Sequence, residues 1–387
     1  MKIAFIPSTF LPIIGGAEIQ THNLGNKIAE EHKVDIFLLK DALIKKKKYK
    51  IKILPFFLIN FVYLFKYYLN LDITYFYLEY FKKIIRKEKY DIWHFHSLNY
   101  KTLLFILVLH KLNQKIAVTF QGADIQIQKN INYGYRLKKK YNILFLKAIK
   151  KIDICFAISD NIKKDLLDLK IDKNKIFKVP NAVDFKKVKK IKTNKNKILT
   201  ILTVGRYAEK KKGFDLIEKV SKYLIRKINF QWIIIGRNTE QLKKKLFFKE
   251  NKKNFLIIDE IKNDKSYTFP SKKLLKIYKM SHVYANMARI ESFGITLIEA
   301  MASYLPVISF KTKGGLDLIQ NNKNGYLVDN NNFNSFAEKI IEFYKKKLNI
   351  KKFNDVYVAQ FDLKNVAKTT VQIYKKIKIE YKNDQKK

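Results

Sequence analysis

The clearest chemical signal in the sequence is a pair of glutamates in the segment ARIESFGITLIEAMA. Glu291 precedes a short loop, Ser292–Gly294. A helix is predicted from about Ile295 to Ser303, with Glu299 in its first turns. Such carboxylates can accept hydrogen bonds from two separate polyol groups, while the amides at the helix N-terminus face a phosphate. This is the chemistry of a nucleotide-sugar pocket, whereas an acid that merely complements the helix dipole would explain Glu299 alone.

A second set of charged residues is basic. In the segment VGRYAEKKKGFD a predicted strand ends at Gly205, and Arg206 and Lys212 flank the loop that follows. A guanidinium offers a planar fork of donors and an ammonium a compact charge, and together they suit a diphosphate. The spacing does not match a Walker A loop. In so basic a chain, ordinary solvated lysines remain the alternative.

Two adjacent glycines follow the first predicted strand. Gly15 and Gly16 precede a helix predicted from roughly Ala17 to Glu30. Paired glycines let backbone amides approach an anion closely at a helix N-terminus, where the dipole favours negative charge. The residues do not form a GxGxxG fingerprint, and an ordinary tight turn is the alternative.

The histidines and the cysteine give weaker evidence of a functional site. His94 and His96 alternate on a predicted strand, so both side chains should point to one face near its carboxyl end. The sequence shows no third ligand, so we predict no metal site, and His96 either lines a cleft or packs in the core. Cys155 is the only cysteine. It excludes an internal disulfide, fits a reducing compartment and is expected to be a small buried side chain.

The elements that must position these residues form two series of short apolar strands separated by helical patterns. Because strand and helix alternate twice over, the sequence predicts an α/β protein with two doubly wound parallel sheets. The predicted strands lie at residues 2–7, 33–39, 91–96, 115–120 and 153–159, and then at 198–205, 230–236, 255–259, 281–287 and 306–310.

The two series define the predicted domains. We assign residues 1–185 to an N-terminal domain and residues 186–360 to a C-terminal domain. Residues 361–387 are predicted to form a helix that returns to the N-terminal domain, with a frayed basic tail at 382–387. Such folds bind ligands beyond the carboxyl ends of their strands, so functional residues should follow strands, and two facing domains would make one central cleft.

An ordered set of motifs extends along the chain. In order they are GGAE, DIWHFHS, VTFQGAD, AISDNIKKDL, VPNAVD, VGRYAEKKKGFDLI, the E-x7-E segment from Glu291 to Ala302, and NKNGYLVD. On these residues the chain resembles the glycosyltransferases of family 4. The resemblance implies the GT-B fold, in which two Rossmann-like doubly wound domains face a central cleft. It also implies that the N-terminal domain lies on the acceptor side and that the C-terminal domain binds the nucleotide sugar. It covers nearly the whole chain, although Tyr49–Tyr90 and the tail contribute little.

The resemblance implies roles for the basic and glycine residues. Arg206 and Lys212 would bind the donor diphosphate, with Lys211 as the fallback because the loop length allows a slip of one residue in alignment. Gly16, together with Gly15, would contact the same phosphates from the opposite domain.

The resemblance also implies roles for the acids. Glu299 would bind the ribose diol, and Glu291 would hold hydroxyls of the transferred sugar, helped by backbone amides at Phe293, Gly294 and Ile295. Family members usually retain anomeric configuration without a metal, so we expect no cofactor, the donor being a substrate and expected to be a UDP-sugar. The implied mechanism is front-face transfer, in which a donor phosphate oxygen accepts the acceptor's proton and positive side chains stabilise the departing diphosphate.

The sequence departs from the family pattern at two positions. Many members carry histidine at the position of Gln121, which can hydrogen-bond a hydroxyl but cannot take a proton at neutral pH. Asp124 could contribute a carboxylate there or cap a helix. Arg237 stands where a small or acidic residue is common, so donor selectivity at that point stays open. The predicted catalytic set is Glu291, Arg206, Lys212 and Gln121.

The charge balance is strongly positive. Lysine and arginine total 79 against 34 acidic residues, a net charge of +45, which suits nucleic acid, an anionic membrane or a phosphate-rich ligand. Much of the excess is lysine scattered along every segment, so compositional drift is an alternative. Two segments, 56–89 and 133–151, are both basic and aromatic. They predict docking on an anionic membrane, with ordinary packing against the sheet as the alternative.

Together these observations predict a retaining glycosyltransferase. It would move a hexose or N-acetylhexosamine from a nucleotide diphosphate sugar to a growing surface glycan or glycolipid of lipopolysaccharide, lipooligosaccharide or capsule type. A nucleic-acid-binding protein would leave the ordered motifs unexplained, so we expect no nucleic-acid partner; a phosphorylase or epimerase of the same fold is a closer alternative. Because no secretory leader or membrane span is apparent, we expect a cytoplasmic protein, peripheral on the inner face of the cell membrane.

Overall fold

A computed structural model describes residues 1–261, 269–346 and 350–384. The chain divides into two compact units. Unit 1 comprises Met1–Pro180 and Val366–Lys387, and unit 2 comprises Asn181–Asn365. The predicted domain boundaries, at 185–186 and 360–361, lie within a few residues of these two junctions.

Unit 1 is built on a parallel sheet. Its described strands are β1 (Lys2–Pro7), β2 (Lys33–Leu38), β3 (Lys50–Ile53), β4 (Ile92–His96), β5 (Ile116–Phe120), β6 (Ile154–Ala157) and β7 (Ile176–Lys178). The spatial order of these seven strands is β3-β2-β1-β4-β5-β6-β7, and every neighbouring pair is parallel. Chain order therefore reverses between β1 and β4, which is where a doubly wound sheet forms a crevice.

Helices connect these strands. They are α1 (Gly16–Ile28), α2 (Phe56–Leu64), α3 (Tyr75–Glu88), α4 (Tyr100–Lys111), α5 (Lys139–Ile149) and α6 (Asp160–Asp168). A π-helical turn, Phe65–Leu69, continues α2. Short 3₁₀ turns lie at Lys129–Ile131, Tyr135–Leu137 and Lys173–Lys175.

Unit 2 is also built on a parallel sheet. Its described strands are β8 (Leu199–Val204), β9 (Phe230–Ile235), β10 (Phe255–Ile258), β11 (Val283–Asn286), β12 (Val307–Phe310) and β13 (Gly325–Val328). Their spatial order is β10-β9-β8-β11-β12-β13. Chain order reverses between β8 and β11, which are direct parallel neighbours.

The helices of unit 2 are shorter on average. They are α7 (Phe185–Lys189), α8 (Glu209–Lys212), α9 (Phe214–Ile225), α10 (Leu246–Glu250), α11 (Lys272–Met280), α12 (Ile295–Ala302), α13 (Lys313–Leu318), α14 (Phe333–Lys346) and α15 (Lys351–Tyr357). Short 3₁₀ segments lie at Thr239–Lys244, Lys252–Asn254 and Val358–Phe361. The last helix, α16 (Leu363–Asp384), belongs almost entirely to unit 1.

Each strand predicted from the sequence is present, which confirms two parallel α/β sheets. The prediction missed β3, β7 and β13, and each of these lies at an edge of its sheet. Central strands carry helices on both faces and therefore read as continuous apolar runs, whereas edge strands are short and often carry lysine. Residues 50–53, with the sequence KIKI, show that edge pattern.

The C-terminal helix packs on unit 1 beside β4. Tyr374 is fully buried, and its hydroxyl hydrogen-bonds Nδ1 of His94. One turn on, Lys378 forms an ion pair with Asp91. A polar bond within the core and a charge pair at its rim thus fix this helix to the strand that carries both histidines.

The last helix, α16, ends at Asp384, within the tail predicted to fray from residue 382. Its lysines and glutamate favour helix, and no proline or glycine interrupts it. Residues 385–387 lie outside the described part of the chain. Among the described helices, none is both long and apolar enough to cross a membrane.

Candidate active site

The predicted donor residues of unit 2 follow two neighbouring strands. The segment with Arg206 and Lys212 follows β8, and the segment with Glu291 follows β11. These strands are parallel partners at the point where chain order reverses, so both segments leave the same edge of the sheet. In open α/β sheets that edge is where ligands bind.

A glycine lets the two segments approach each other. Gly213 has φ +69°, and a Cβ there would lie 1.9 Å from the carbonyl oxygen of Met287. The amide of Arg289 donates to the carbonyl of Lys211 at 2.9 Å. The segment after β8 is therefore fixed, backbone to backbone, against the segment after β11.

A side-chain clamp strengthens this contact. Nη1 and Nη2 of Arg289 bind the two carboxylate oxygens of Asp215 at 2.8 and 3.0 Å, and Nη1 also donates to the carbonyl of Lys210 at 2.8 Å. Such bidentate pairs fix orientation as well as distance. Sequence analysis missed both residues as site residues, although each lies within a quoted motif, GFD or ARIES.

The clamp brings a predicted cation to a predicted acid. Nζ of Lys212 lies 2.6 Å from Oε2 of Glu291, and the two side chains are 29% and 16% exposed. The backbone carbonyl of Glu291 accepts from the amide of Gly314 at 2.7 Å. The acid is thus held through both its side chain and its backbone.

Lys211 lies within the same charge cluster. The pKa of its ammonium is lowered to about 8, chiefly by burial, and the nearby charges of Lys212 and Arg206 contribute to this lowering while Glu291 opposes it. The four residues therefore share one electrostatic environment. A cation in this environment gains strongly from the arrival of an anion.

The backbone between Glu291 and α12 depends on two glycines. Gly294 has φ +100°, a conformation that side chains disfavour, and it precedes the helix. A Cβ on Gly314 would lie 2.5 Å from the carbonyl oxygen of Phe293, so the start of α13 packs directly on this loop. Phe293 itself is buried. The first amides of α12, at Ile295 and beyond, have no partner within the helix and can serve as donors.

Glu299 lies deeper than Glu291. It is 5% exposed, and the hydroxyl of Tyr278 donates to its Oε2 at 2.9 Å. Burial raises the pKa of this carboxyl to about 7, although the Tyr278 bond and the charge of Lys187 both lower it. Among the described residues, no donor contacts Oε1. One oxygen is therefore fixed and the other can accept further hydrogen bonds.

Tyr284 connects the two acids. Its hydroxyl donates to the carbonyl of Val204, the last residue of β8, at 3.1 Å. Burial raises the pKa of this phenol, and the charges of Glu291 and Glu299 raise it further. The ring of Tyr278 lies 5.9 Å from that of Tyr284. Both carboxylates thus act electrostatically on Tyr284, and Glu299 also accepts from the neighbouring Tyr278, a buried pair that sequence analysis missed.

The glycine pair of unit 1 lies at the start of α1. Gly15 is extended and precedes the helix, which begins at Gly16. A Cβ on Gly15 would lie 2.5 Å from Oε2 of Glu18, whose other oxygen accepts from the hydroxyl of Thr9. The carboxylate of Glu18 thus folds back over the helix N-terminus. It was not anticipated from the sequence.

The structure gives Asp124 a role that differs from the helix cap allowed by the sequence, because the amides that it binds lie in loops. This fully buried carboxylate accepts from the amides of Gly122 at 2.9 Å, Gln121 at 3.1 Å and Leu98 at 3.2 Å. Burial raises its pKa to about 6, against these hydrogen bonds. Asp124 therefore caps the backbone of its loop, and it joins the loops that follow β4 and β5. Gln121 is half-buried directly after β5.

The two histidines point to one face of β4, as predicted, and both are buried. Nε2 of His94 pairs with the hydroxyl of Thr119 at 2.8 Å, and the imidazole rings of His94 and His96 lie 4.1 Å apart. Burial lowers the pKa of His96 to about 3, and no described residue bonds its Nε2. Within the described residues, no group of three or more histidine, cysteine or acidic side chains is arranged to hold a metal. Cys155 is buried, as expected.

Two protein-family models match the chain. The model for Glycosyltransferase Family 4 matches residues 14–187, and the model for Glycosyl transferases group 1 matches residues 184–356. The chain belongs to the family 4 glycosyltransferases. The first match covers the segment with Gly15 and Gln121, and the second covers the cations and acids of unit 2.

Two relatives of this glycosyltransferase have names that specify their acceptors. A poly(ribitol-phosphate) α-N-acetylglucosaminyltransferase of Staphylococcus aureus is 27% identical over 65% of this chain, and the match spans about half, 47%, of that enzyme. A UDP-Gal:α-D-GlcNAc-diphosphoundecaprenol α-1,3-galactosyltransferase of Escherichia coli is 25% identical over 69% of both chains.

Solved structures support the same fold for this glycosyltransferase. The Anabaena protein HepE, solved in complex with UDP, superposes with a TM-score of 0.73 at 13% identity, over 97% of this chain and all of that one. A likeness at this identity shows the fold, so the glycosyltransferase has the GT-B architecture that the resemblance implied.

Proposed function

We propose that the enzyme transfers a hexose or N-acetylhexosamine from a nucleotide diphosphate sugar, with a UDP-sugar as the expected donor. One observation carries the proposal. Arg206, Lys211, Lys212 and Glu291 come together where β8 and β11 end, at the reversal of strand order, and Glu299 on α12 acts on the same Tyr284 as Glu291 does. A diphosphate needs the cations, and a sugar and a ribose need the acids.

The diphosphate is proposed to lie against Arg206, Lys211 and Lys212. Lys211 supports this assignment because burial beside two other cations lowers the pKa of its ammonium. An arriving diphosphate relieves that repulsion and restores the full charge. The same three charges would stabilise the diphosphate as it leaves. Gly15 and Gly16, at the start of α1, are the proposed phosphate contacts from unit 1.

The two acids are proposed to accept different hydroxyl groups. Glu299 keeps Oε1 for the ribose diol while Tyr278 holds Oε2. Glu291 would accept from hydroxyls of the transferred sugar, and the amides from Phe293 to Ile295 would assist it. Because its Oε2 pairs with Lys212 in the absence of donor, binding must share or replace this ion pair.

The reaction is proposed to retain anomeric configuration by front-face transfer. A donor phosphate oxygen would take the acceptor's proton, so the protein need not supply a general base. This suits Gln121, whose amide can hydrogen-bond a hydroxyl and cannot take a proton at neutral pH. Three positive side chains can balance the leaving diphosphate, and we therefore propose that no metal ion is required.

The acceptor is proposed to be a growing surface glycan or glycolipid of lipopolysaccharide, lipooligosaccharide or capsule type. Support comes from relatives whose names specify a poly(ribitol-phosphate) and a diphosphoundecaprenol-linked sugar. Such acceptors are attached to polymers or lipids, so the enzyme would work in the cytoplasm, as a peripheral protein at the inner face of the cell membrane.

A donor screen tests this proposal. The full chain is incubated with UDP-, GDP- and ADP-sugars and a lipid-linked acceptor, and released nucleoside diphosphate and glycosylated product are measured together. We expect both products with one donor class, and NMR of the product should show the anomeric configuration of the donor. Release of a sugar phosphate would indicate a phosphorylase, and a changed sugar without transfer would indicate an epimerase. Either result would contradict the proposal.

A further inference from the structure

We propose that residues 56–88 of unit 1, here called the aromatic hairpin, form the surface that docks the enzyme on an anionic lipid bilayer. The hairpin comprises α2, the π-helical turn and α3. The proposal deepens the proposed peripheral location by naming its surface and its mode of contact. It does not depend on the identity of the donor.

The hairpin presents apolar side chains to solvent on a regular helical face. Phe57 is 87% exposed, and Phe61, Leu64 and Tyr68 follow at helical spacing with 47%, 48% and 64% exposed. The opposite face is buried, as at Ile59, which is fully buried. A helix that is apolar on both faces fits a setting in which both faces leave water.

The exposed apolar surface continues from one helix to the other. The hydroxyl of Tyr77 in α3 donates to the carbonyl of Ile59 in α2 at 2.6 Å. On the outer side the ring of Phe61 lies 6.5 Å from that of Phe76. A contiguous patch of this kind marks an interaction surface rather than scattered exposure. Its exposed members are Phe56, Phe57, Phe61, Leu64, Tyr68, Leu69, Leu71, Tyr75 and Phe76.

A basic helix adjoins the hairpin. Nζ of Lys140, at the start of α5, donates to the carbonyl of Tyr67 at 2.6 Å and lies over its ring. The two basic and aromatic segments singled out in the sequence are therefore neighbours. The outer face of α5 carries Lys139, Ile143, Leu146 and Lys150, all exposed. Residues 138–151 contain six lysines and no acid.

Charge favours a bilayer over a second copy of this chain. The exposed acid of the patch, Asp72, is paired with Lys66 at 3.1 Å, and Glu79 is paired with Lys82 at 2.7 Å. The surface around the patch is therefore positive, and two copies that each carry +45 repel each other. Anionic headgroups complement the lysines while phenylalanine enters the acyl boundary and tyrosine stays at headgroup level.

Fluorescence provides the first test. The native tryptophans, Trp93 and Trp232, are fully buried, so a tryptophan at an exposed site reports its own surroundings. In the Phe57→Trp variant we expect a blue shift on adding vesicles of equimolar phosphatidylglycerol and phosphatidylcholine, and quenching by lipids labelled within the acyl region. The matched Leu246→Trp variant, at an exposed leucine of unit 2, should show neither change. Equal responses at both sites would overturn the proposal.

Co-sedimentation with the same vesicles provides the second test. We expect Phe57→Ser with Phe61→Ser to weaken binding at least about 10-fold, because two phenylalanines no longer enter the apolar layer. Leu246→Ser should bind as the wild type does, and vesicles of phosphatidylcholine alone should bind weakly. Binding that the serine variant retains in full would show adsorption by charge alone and would overturn the proposal. The proposal would also be overturned if the wild type did not bind vesicles but formed a concentration-dependent dimer that the serine variant could not form.

Turnover with a soluble acceptor separates this proposal from the proposed function. The serine variant should release nucleoside diphosphate at the wild-type rate, since the aromatic hairpin lies apart in the sequence from every proposed donor residue. Far-ultraviolet circular dichroism must show a wild-type fold. If the wild type binds vesicles but shows no turnover, the docking surface is supported and the transferase proposal is contradicted. If it shows turnover but does not bind vesicles, the transferase proposal is supported and the docking surface is contradicted.

Discussion

Nζ of Lys212 and Oε2 of Glu291 form an ion pair of 2.6 Å, although 79 residues separate them in the chain. The pair joins the segment that follows β8 to the segment that follows β11. Each charge satisfies the other, so under the proposed function a diphosphate would compete with the carboxylate for Lys212. The pair would then link the binding of phosphate to the release of an acid for the sugar.

The clamp between Arg289 and Asp215 should position this ion pair. We expect Arg289→Ala to lower kcat/KM for the donor about 10-fold or more, because the backbone contact to Lys211 loosens and the proposed donor groups misalign. Arg289→Lys should recover little, since lysine cannot make the bidentate contact. Steady-state kinetics check this, with the exposed Arg226→Ala as the matched control. Equal rates in Arg289→Ala and Arg226→Ala would contradict a positioning role.

Lys211 should impose an alkaline limit on donor binding. Burial lowers the pKa of its ammonium to about 8, so above that pH the side chain is increasingly neutral and attracts a diphosphate less. We expect kcat/KM for the donor to fall as pH rises through about 8. Lys211→Arg keeps its charge, and its profile should stay flat over that range. If kcat/KM of the Lys211→Arg variant fell in the same way above pH 8, the alkaline limit would belong to another group.

Glu299 should lower the free energy of unfolding at alkaline pH. Burial raises the pKa of this carboxyl from 4.5 to about 7, so the unfolded chain loses the proton more readily than the folded one. Its contribution to stability is therefore complete at low pH and is lost as pH rises through about 7. At pH 8 the loss amounts to about 3 kcal/mol in the free energy of unfolding.

The Glu299→Gln variant tests this directly. Its urea midpoint should match the wild type near pH 4 and exceed it at pH 8, while its donor affinity falls. The exposed Glu250→Gln supplies the control, which should show no such pH-dependent gain. If Glu299→Gln were less stable than the wild type at pH 8, the claim that the buried Glu299 carboxylate destabilises the fold at that pH would be contradicted.

Chelation should leave turnover unchanged. The proposed mechanism uses Arg206, Lys211 and Lys212 to balance the leaving diphosphate, so it requires no divalent cation. We expect the same kcat after dialysis against a chelator, measured by released nucleoside diphosphate. Loss of activity that magnesium or manganese restores would show that the side chains alone do not suffice.

The sequence predicted the central strands because burial on both faces leaves an uninterrupted apolar run. It missed β3, β7 and β13, which lie at sheet edges and are only three or four residues long. The KIKI segment at 50–53 alternates lysine with isoleucine and gives no such run. The fourth edge strand, β10, was predicted because its residues FLII do form an apolar run. A short edge strand without such a run is therefore recognised only by its pairing with a neighbour.

The charged residues of the candidate site could be selected from the sequence because each lies in a local motif. Their partners were not, since the contacts depend on the whole fold. Tyr278 meets Glu299 across 21 residues and Tyr284 meets the end of β8 across 80. Asp124 shows the same limit in another form. Its sequence allowed a ligand role and a helix-capping role, whereas in the structure it binds three backbone amides of the loops that follow β4 and β5.

The central claim is that the cations and acids of unit 2 serve one nucleotide-sugar donor. Measuring nucleoside diphosphate release by Arg206→Ala and Glu291→Gln tests it most directly. We predict that each variant, folded as shown by circular dichroism, turns over at least about 100-fold more slowly than the wild type, the scale of a lost electrostatic contact in a transition state. Turnover at the wild-type rate in either folded variant would contradict the claim.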